Sequence, residues 1–260
     1  MYQSERIDEI LKILNKYHYV TVDYLVEKIR YSPASIRRDL TVLEKQGLVK
    51  RSYGGVEIKK ESYTPFRFRQ HSMKLEKNSI AVKAAELVRD NDTVFIDASS
   101  SAQYLGHFLA CKKNITVITN NMVLASHLNG NGIDTYCTGG HIFEHPGVLA
   151  GEITNRTFSM FHADIMFFSA SGFDDGIIYE STERFLQHHR IMIDNSDRRV
   201  FLCGSDKIGI KNKVIVSNLD EIDFFISDVS LSEDITQKYK NTEFICAGKK
   251  WTSFDAKKIL

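Results

Sequence analysis

Ile7, Ile10, Leu11 and Leu14 recur at the i, i+3, i+4, i+7 spacing that gathers apolar side chains on one helix face. The spacing returns at Val22, Leu25, Val26 and Ile29 after Thr21, a residue suited to capping, and predicts a short second helix ending near Tyr31. The stretch S-P-A-S-I-R-R-D-L-T-V-L-E-K-Q-G then carries its own punctuation, with Ser32 as cap, Pro33 at the first helical position and Gly47 at the terminus. At about 100° per residue, Ile36, Leu40 and Leu43 share one face of this third helix. Ala34, Arg38, Thr41 and Lys45 lie opposite, flanked by Arg37. L-V-K-R-S-Y-G-G-V-E-I reads as a β-hairpin with Gly54 and Gly55 in or near its turn.

Residues 58–75 mix charge, aromatics and a proline without a clean period, and are expected to link two domains, with Phe66 and Phe68 docking on the body. From Glu76 the pattern changes to a helical N-S-I-A-V-K-A-A-E-L-V and then to short apolar runs: T-V-F-I-D, I-T-V-I-T, I-D-T-Y-C, I-M-F-F-S, R-V-F-L-C, K-V-I-V-S, D-F-F-I-S and E-F-I-C. Several are separated by helical stretches, and consecutive apolar positions suit strands covered on both faces. The expectation is an α/β protein: a small N-terminal winged helix-turn-helix over 1–57, then a Rossmann-like α/β domain with a mainly parallel sheet over 76–260. Neither G-x-G-x-x-G nor G-x-x-x-x-G-K-[ST] occurs, so no dinucleotide or ATP site of those kinds, and no cofactor, is indicated.

Two helices joined by a tight turn, the second presenting small polar and arginine side chains outward, match a helix-turn-helix whose recognition helix enters the DNA major groove. Ser32, Ser35, Arg37, Arg38, Thr41 and Lys45 are the candidate contacts there, with Lys50, Arg51 and Tyr53 of the hairpin wing directed at the backbone. An isolated Arg-Arg pair is ordinarily a solvated face. The capped helix, basic face and glycine hairpin together change that reading. Charge distribution agrees: residues 1–60 hold twelve basic and eight acidic groups, and the remaining 200 hold 22 and 25.

The 260 residues are 43% hydrophobic and 26% charged, ordinary for a globular protein, and no apolar run approaches the roughly 18 residues of a membrane span. The opening M-Y-Q-S-E-R-I-D-E-I lacks the basic and then apolar regions of an export signal, so a cytoplasmic location is expected. Cys111, Cys137, Cys203 and Cys246 are far apart with no C-x-x-C, and are expected as buried, reduced thiols rather than zinc ligands. His141 and His145 sit among glycines and a proline, which argues against a helical metal pair. His188 and His189, adjacent on a helix, are expected to face different directions.

Polar residues gather just after the expected strands: Asp97, Ser99, Ser100 and Ser101 in D-A-S-S-S, Thr119 and Asn120 in T-N-N, Gly139 and Gly140, Gly172 at the end of S-A-S-G, and Lys207 in S-D-K. Open α/β sheets bind ligands at the carboxyl ends of their strands, so these segments are expected to converge on one crevice. D-A-S-S-S also runs into an expected helix whose N-terminus, with Lys207, would suit a phosphate.

The segment from S-E-R-I-D-E-I-L through S-P-A-S-I-R-R-D-L to the G-G after the wing resembles the N-terminal domain of DeoR-type bacterial regulators, and the resemblance continues through nearly the whole chain. It implies a sensor domain similar to sugar-phosphate isomerases, a phosphorylated sugar or related metabolite as effector, and repression of a sugar-metabolism operon relieved by that effector. The aspartate-centred loop, usually D-S-G-T-T, corresponds here to D-A-S-S-S with Ser99 in place of glycine. Ser171, His189 and Gly204 replace the usual acidic residue, lysine and aspartate, while Lys207 and Gly209 are kept. A double-stranded operator read as paired half-sites implies a homo-oligomer, a dimer or tetramer. Two alternatives stay open at this point. One is a sugar-phosphate isomerase with an appended winged helix, whose base would come from Asp97, Asp174, Asp175 or Glu183; the other is a protein-binding module.

Overall fold

The structure, a computed structural model, describes residues 3–45, 47–52, 54–58, 66–70, 72–144 and 147–248. It divides into two compact units, Met1–Ser72 and Met73–Leu260.

The first unit runs α1 (Gln3–Tyr17), β1 (Tyr19–Thr21), α2 (Val22–Ile29), α3 (Pro33–Lys45), β2 (Val49–Ser52), β3 (Gly55–Ile58) and α4 (Phe66–Arg69). The expected caps are made: Thr21 Oγ1 accepts the Tyr24 N–H at 3.1 Å and Ser32 Oγ accepts the Ser35 N–H at 3.2 Å. The apolar faces of α1, α2 and α3 close around Ile10, Leu14, Leu25, Ile36, Leu40 and Leu43. In the hairpin Ser52 pairs with Gly55, and Gly54 at φ +81° supplies the left-handed backbone that so tight a turn needs. β1, which has no counterpart in the sequence reading, adds to β3 to make a three-stranded sheet in the order β1-β3-β2. α4 packs on α1 with Phe66 buried, so this part of the expected connection is helical and belongs to the first unit. Residues 59–65 and the side chain of Phe68 lie outside the described residues.

The second unit begins with α5 (Lys74–Glu86), β4 (Thr93–Ile96), a 3-10 segment (Ala102–His107), β5 (Thr116–Thr119), α6 (Met122–Gly130) and β6 (Asp134–Cys137). A hairpin of β7 (His141–Glu144) and β8 (Val148–Ala150) leads to α7 (Glu152–Ser159), β9 (Ala163–Phe168), β10 (Gly172–Asp174), β11 (Ile177–Glu180) and α8 (Leu186–Asp194). β12 (Ser196–Cys203), β13 (Val214–Asn218), β14 (Phe224–Ser227), α9 (Glu233–Lys238) and β15 (Glu243–Cys246) complete it. Seven parallel strands form one sheet in the order β15-β14-β12-β9-β4-β5-β6. Counted along the chain this is 3-2-1-4-5-6-7, the Rossmann arrangement with one strand added.

The uninterrupted apolar runs are explained by cover on both faces. Val94, Ile96, Val117, Phe167, Val200 and Leu202 point to one side, under Ile80 and Ala84 of α5 and Leu124 and Leu128 of α6. Their neighbours Phe95, Ile118, Phe168, Phe201 and Phe225 point to the other, against Phe158 of α7 and Met192 of α8. One expected parallel strand sits elsewhere: V-I-V-S is β13 of a separate antiparallel sheet ordered β10-β11-β13, because an apolar run specifies burial but not a sheet. The four cysteines also differ from expectation. Only Cys203 is buried, its thiol pushed up to about 12 by burial, whereas Cys111, Cys137 and Cys246 are exposed. Among the described residues no helix is long and apolar enough to cross a membrane.

Candidate functional site

α3 turns Ile36, Leu40 and Leu43 into the core and leaves Arg37, Arg38 and Lys45 exposed, with Ser35 and Thr41 half-buried at the edges. Exposed Ser32 is used as the cap. Thr41 Oγ1 donates to the Arg37 carbonyl at 2.8 Å and accepts from Arg51 Nη1 at 3.1 Å. The Arg51 N–H also donates to Glu44 Oε1 at 3.1 Å, so the first strand of the wing is tied to the exposed side of α3. Lys50, exposed on the same strand, lies 3.5 Å from Glu57. Arginine forks and lysines displayed along one helix and its wing are suited to guanine edges and phosphates. Tyr53 lies outside the described residues. Sequence reasoning passed over one member of this motif: Asp39 is fully buried, holding Arg6 and Gln3 of α1.

In the second unit β4 pairs with both β5 and β9, and the strand order reverses between β4 and β9. A crevice opens at such a reversal, since the connections leave in opposite directions. Asp97 follows β4 and Ser169 follows β9, so both stand there. The buried Asp97 carboxylate accepts the Ser99 N–H at 3.1 Å and the Ser169 N–H at 3.3 Å, and lies 3.1 Å from His189 Nε2. It acts as the clasp between two loops. Lys207 Nζ donates to Ser169 Oγ at 2.6 Å and lies 3.5 Å from Ser101 Oγ, bringing the ammonium expected for an anion to the same place. Ser100 and Ser101 are buried, and half-buried Ser99 caps the Ala102 N–H at 3.1 Å.

The other expected residues divide. Thr119 Oγ1 accepts the Asn121 N–H at 3.1 Å, and Asn120 donates from Nδ2 to the Leu149 carbonyl at 2.9 Å. Asn120 Oδ1 is buried without a hydrogen-bond partner among the described residues. A side chain at Gly139 or Gly140 would meet Ile153 and Thr154 at the start of α7 or the Ala150 carbonyl at the end of β8, and the two glycines shape that loop. Gly172 has the Ile210 carbonyl where its Cβ would be, only 2.4 Å away, which makes glycine a packing requirement there. The helix expected after D-A-S-S-S is a six-residue 3-10 segment with Gly106 within it, too short and tightly wound for a strong dipole.

Other residues hold these loops in place. Asp228 accepts both the Ser205 N–H and the Ser205 hydroxyl at 2.7 Å, which fixes the turn bearing Lys207. Asn121 caps α6 through Val123 and Leu124 and reaches Gln103. His188 and His189 are both buried with ring centroids 4.7 Å apart, against the expectation that adjacent helical histidines face apart. The interior surrounds this side of α8 broadly enough to take both rings. Burial, with a smaller contribution from His189, lowers the His188 pKa well below the usual imidazole value and keeps it neutral at pH 7. Asp174 pairs with Lys211 and Asp175 with Lys238, each at 3.2 Å.

The model of the DeoR-like helix-turn-helix domain matches residues 6–62, and that of the DeoR C terminal sensor domain matches residues 72–229. This chain belongs to the DeoR family. The HTH-type transcriptional regulator GolR of Listeria innocua is 30% identical over 250 residues, covering 93% of this chain and 96% of that one. The glycerol-3-phosphate regulon repressor of Escherichia coli is 29% identical over 250 residues, covering 94% and 99%. Ribose 5-phosphate isomerase from Plasmodium falciparum matches at a TM-score of 0.38 and 15% identity over 52% of each chain, a likeness too slight to argue from. The DeoR relatives are regulators rather than enzymes, and the isomerase reading is set aside. As a DeoR regulator the chain joins an operator-binding domain to a sensor of a small-molecule effector.

Proposed function

We propose that this regulator represses a sugar-metabolism operon in the cytoplasm and leaves its operator when a phosphorylated sugar or polyol occupies the crevice between β4 and β9. The observation that carries the reading is the Lys207 ammonium, held by Ser101 and Ser169 beside the Asp97 clasp at the strand-order reversal. An ammonium flanked by hydroxyls binds a phosphate as a point charge. The buried Asn120 Oδ1 supplies an acceptor for a ligand hydroxyl, since buried oxygens are normally satisfied. Ser99, Ser100 and Thr119 shape the wall, and Gly139, Gly140 and Gly172 set the loops around it. The E. coli relative is named for glycerol 3-phosphate, a phosphorylated polyol, which supports the ligand class.

On the DNA side, Ser35, Arg37, Arg38 and Thr41 read bases, while Ser32, Lys45, Lys50, Arg51 and Tyr53 engage the backbone. The chain works as a dimer or tetramer, because one recognition helix reads one half-site. Ligand then shifts the oligomer between arrangements of unequal DNA affinity, which requires unequal ligand affinity for them.

A thermal-shift screen against sugar phosphates, the matching free sugars and inorganic phosphate tests the ligand class. At a concentration 100 times Kd, a ligand specific to the folded state adds about 2.7 kcal/mol of apparent stability. Stabilisation by one phosphorylated compound and not by its free sugar supports the proposal; equal stabilisation by both removes the phosphate from it.

A further inference from the structure

We propose that Arg6 and Asp39 are positioning residues for DNA reading: their buried ion pair fixes the rotational setting of α3, and through it where Arg37, Arg38 and Thr41 meet the bases. Asp39 lies at the edge of the apolar side of α3, next to Leu43 in angle, and its side chain is fully buried. A carboxylate there has a large desolvation cost unless its oxygens are occupied. Both are. Oδ2 accepts from Arg6 Nε, and Oδ1 accepts from Arg6 Nη2 at 3.2 Å and from Gln3 Nε2 at 2.9 Å. The Arg6 guanidinium lies 4.5 Å from the Tyr31 ring centroid, in the turn between α2 and α3. One fork therefore holds α1, the turn and α3 in a single mutual setting.

Apolar contacts alone would not fix that setting. Ile36, Leu40 and Leu43 can slide or rotate slightly against α1 and α2 and remain buried, whereas a two-pronged charged pair is satisfied in one geometry only. Asp39 follows Arg37 and Arg38 directly, so any rotation that would separate it from Arg6 also swings those arginines away from their bases. The inference rests on α3 being the reading helix. It adds that a residue pointing away from DNA controls how well DNA sequences are distinguished.

The test uses the full chain and two fluorescent duplexes, one selected by the wild-type protein from a randomised pool and one with the same composition scrambled. Arg6→Lys keeps the charge but lacks the fork, and the double variant Arg6→Met/Asp39→Leu replaces the pair by apolar groups of similar size. The expected result is that both variants lose at least about tenfold in the ratio of selected to scrambled affinity, the scale of one good base contact. Their affinity for the scrambled duplex, set by phosphate contacts, stays within about twofold. If the double variant does not fold by circular dichroism, Arg6→Lys alone decides. An unchanged ratio in a folded variant overturns the positioning role and leaves α3 as the reading helix. A wild-type protein that selects no duplex overturns the DNA-reading proposal and this inference with it.

Discussion

Replacing Lys207 by Met keeps most of the length of the side chain and removes its charge from the crevice. The ammonium donates to Ser169 Oγ at 2.6 Å, and Ser169 itself donates to the Leu202 carbonyl, so the charge is held by a hydroxyl anchored on β12. A bound phosphate oxygen near 4 Å would gain about 4 kcal/mol per unit charge at an effective dielectric of 20. Lys207 is only half-buried, so part of that gain is offset by solvation it gives up. The net value of a charged hydrogen bond, about 1.5–3 kcal/mol, is the better guide. Lys207→Met should therefore weaken the phosphorylated effector about 10- to 150-fold, and Lys207→Arg should recover part of the loss. Isothermal titration with the compound found in the thermal screen reads the change directly. A Kd within twofold of wild type, in a variant that melts as wild type does, would refute the assignment of Lys207 to the ligand's phosphate.

Three further outcomes follow from the same structure. Arg38→Ala should weaken binding to the selected duplex by about 1–3 kcal/mol in an anisotropy titration, and undiminished affinity would remove Arg38 from base reading. Gly172→Ala should lower stability by about 1–3 kcal/mol in urea unfolding and blunt the ligand response, because the new Cβ meets the backbone Ile210 carbonyl at 2.4 Å rather than a side chain that can turn aside. Glu221 is held at about 2 chiefly by its bonds from Arg190, at 2.7 and 2.9 Å, with help from Ser217. Its folded value is depressed from 4.5, so the stability it contributes is complete above about pH 4.5 and is lost as pH falls through about 2. Both partners are about a third exposed, and solvent screening reduces the contribution to about 1 kcal/mol. Glu221→Gln should thus be less stable than wild type at pH 7, the difference shrinking as pH falls toward 2.

The reading helix was legible because three independent signals coincide in fifteen residues: the Ser32 cap, Pro33 and the split between Ile36-Leu40-Leu43 and Arg37-Arg38. The parallel strands were legible from runs such as T-V-F-I and V-F-L-C, whose alternate residues feed two cores. β1, β7, β8, β10 and β11 were not, each being a short member of an antiparallel pairing rather than an apolar run of the parallel sheet. V-I-V-S looked like the other runs because side chains report burial and not the partner strand. In the crevice, Asp97, Ser101 and Lys207 were found from their places after strands. Asp228 acts through a turn that only the fold brings near, and nothing local marks it; Asn121 and His189 stood out in the sequence, but the α6 cap and the Asp97 contact that they make did not. Asp39 did leave a signal, a lone carboxylate at the edge of an apolar stripe, whose meaning depends on Arg6, 33 positions away.

On the proposed reading, a phosphorylated metabolite in the crevice controls the grip on DNA. The most direct test is to hold the regulator on its selected, fluorescently labelled duplex at fixed salt and add the stabilising sugar phosphate while following anisotropy. Salt must be constant because phosphate contacts make the affinity steeply dependent on it. Anisotropy should fall saturably with the phosphorylated compound and not at all with its free sugar. A complex that stays intact at concentrations saturating the crevice, or that the free sugar disrupts equally well, would contradict the proposed reading.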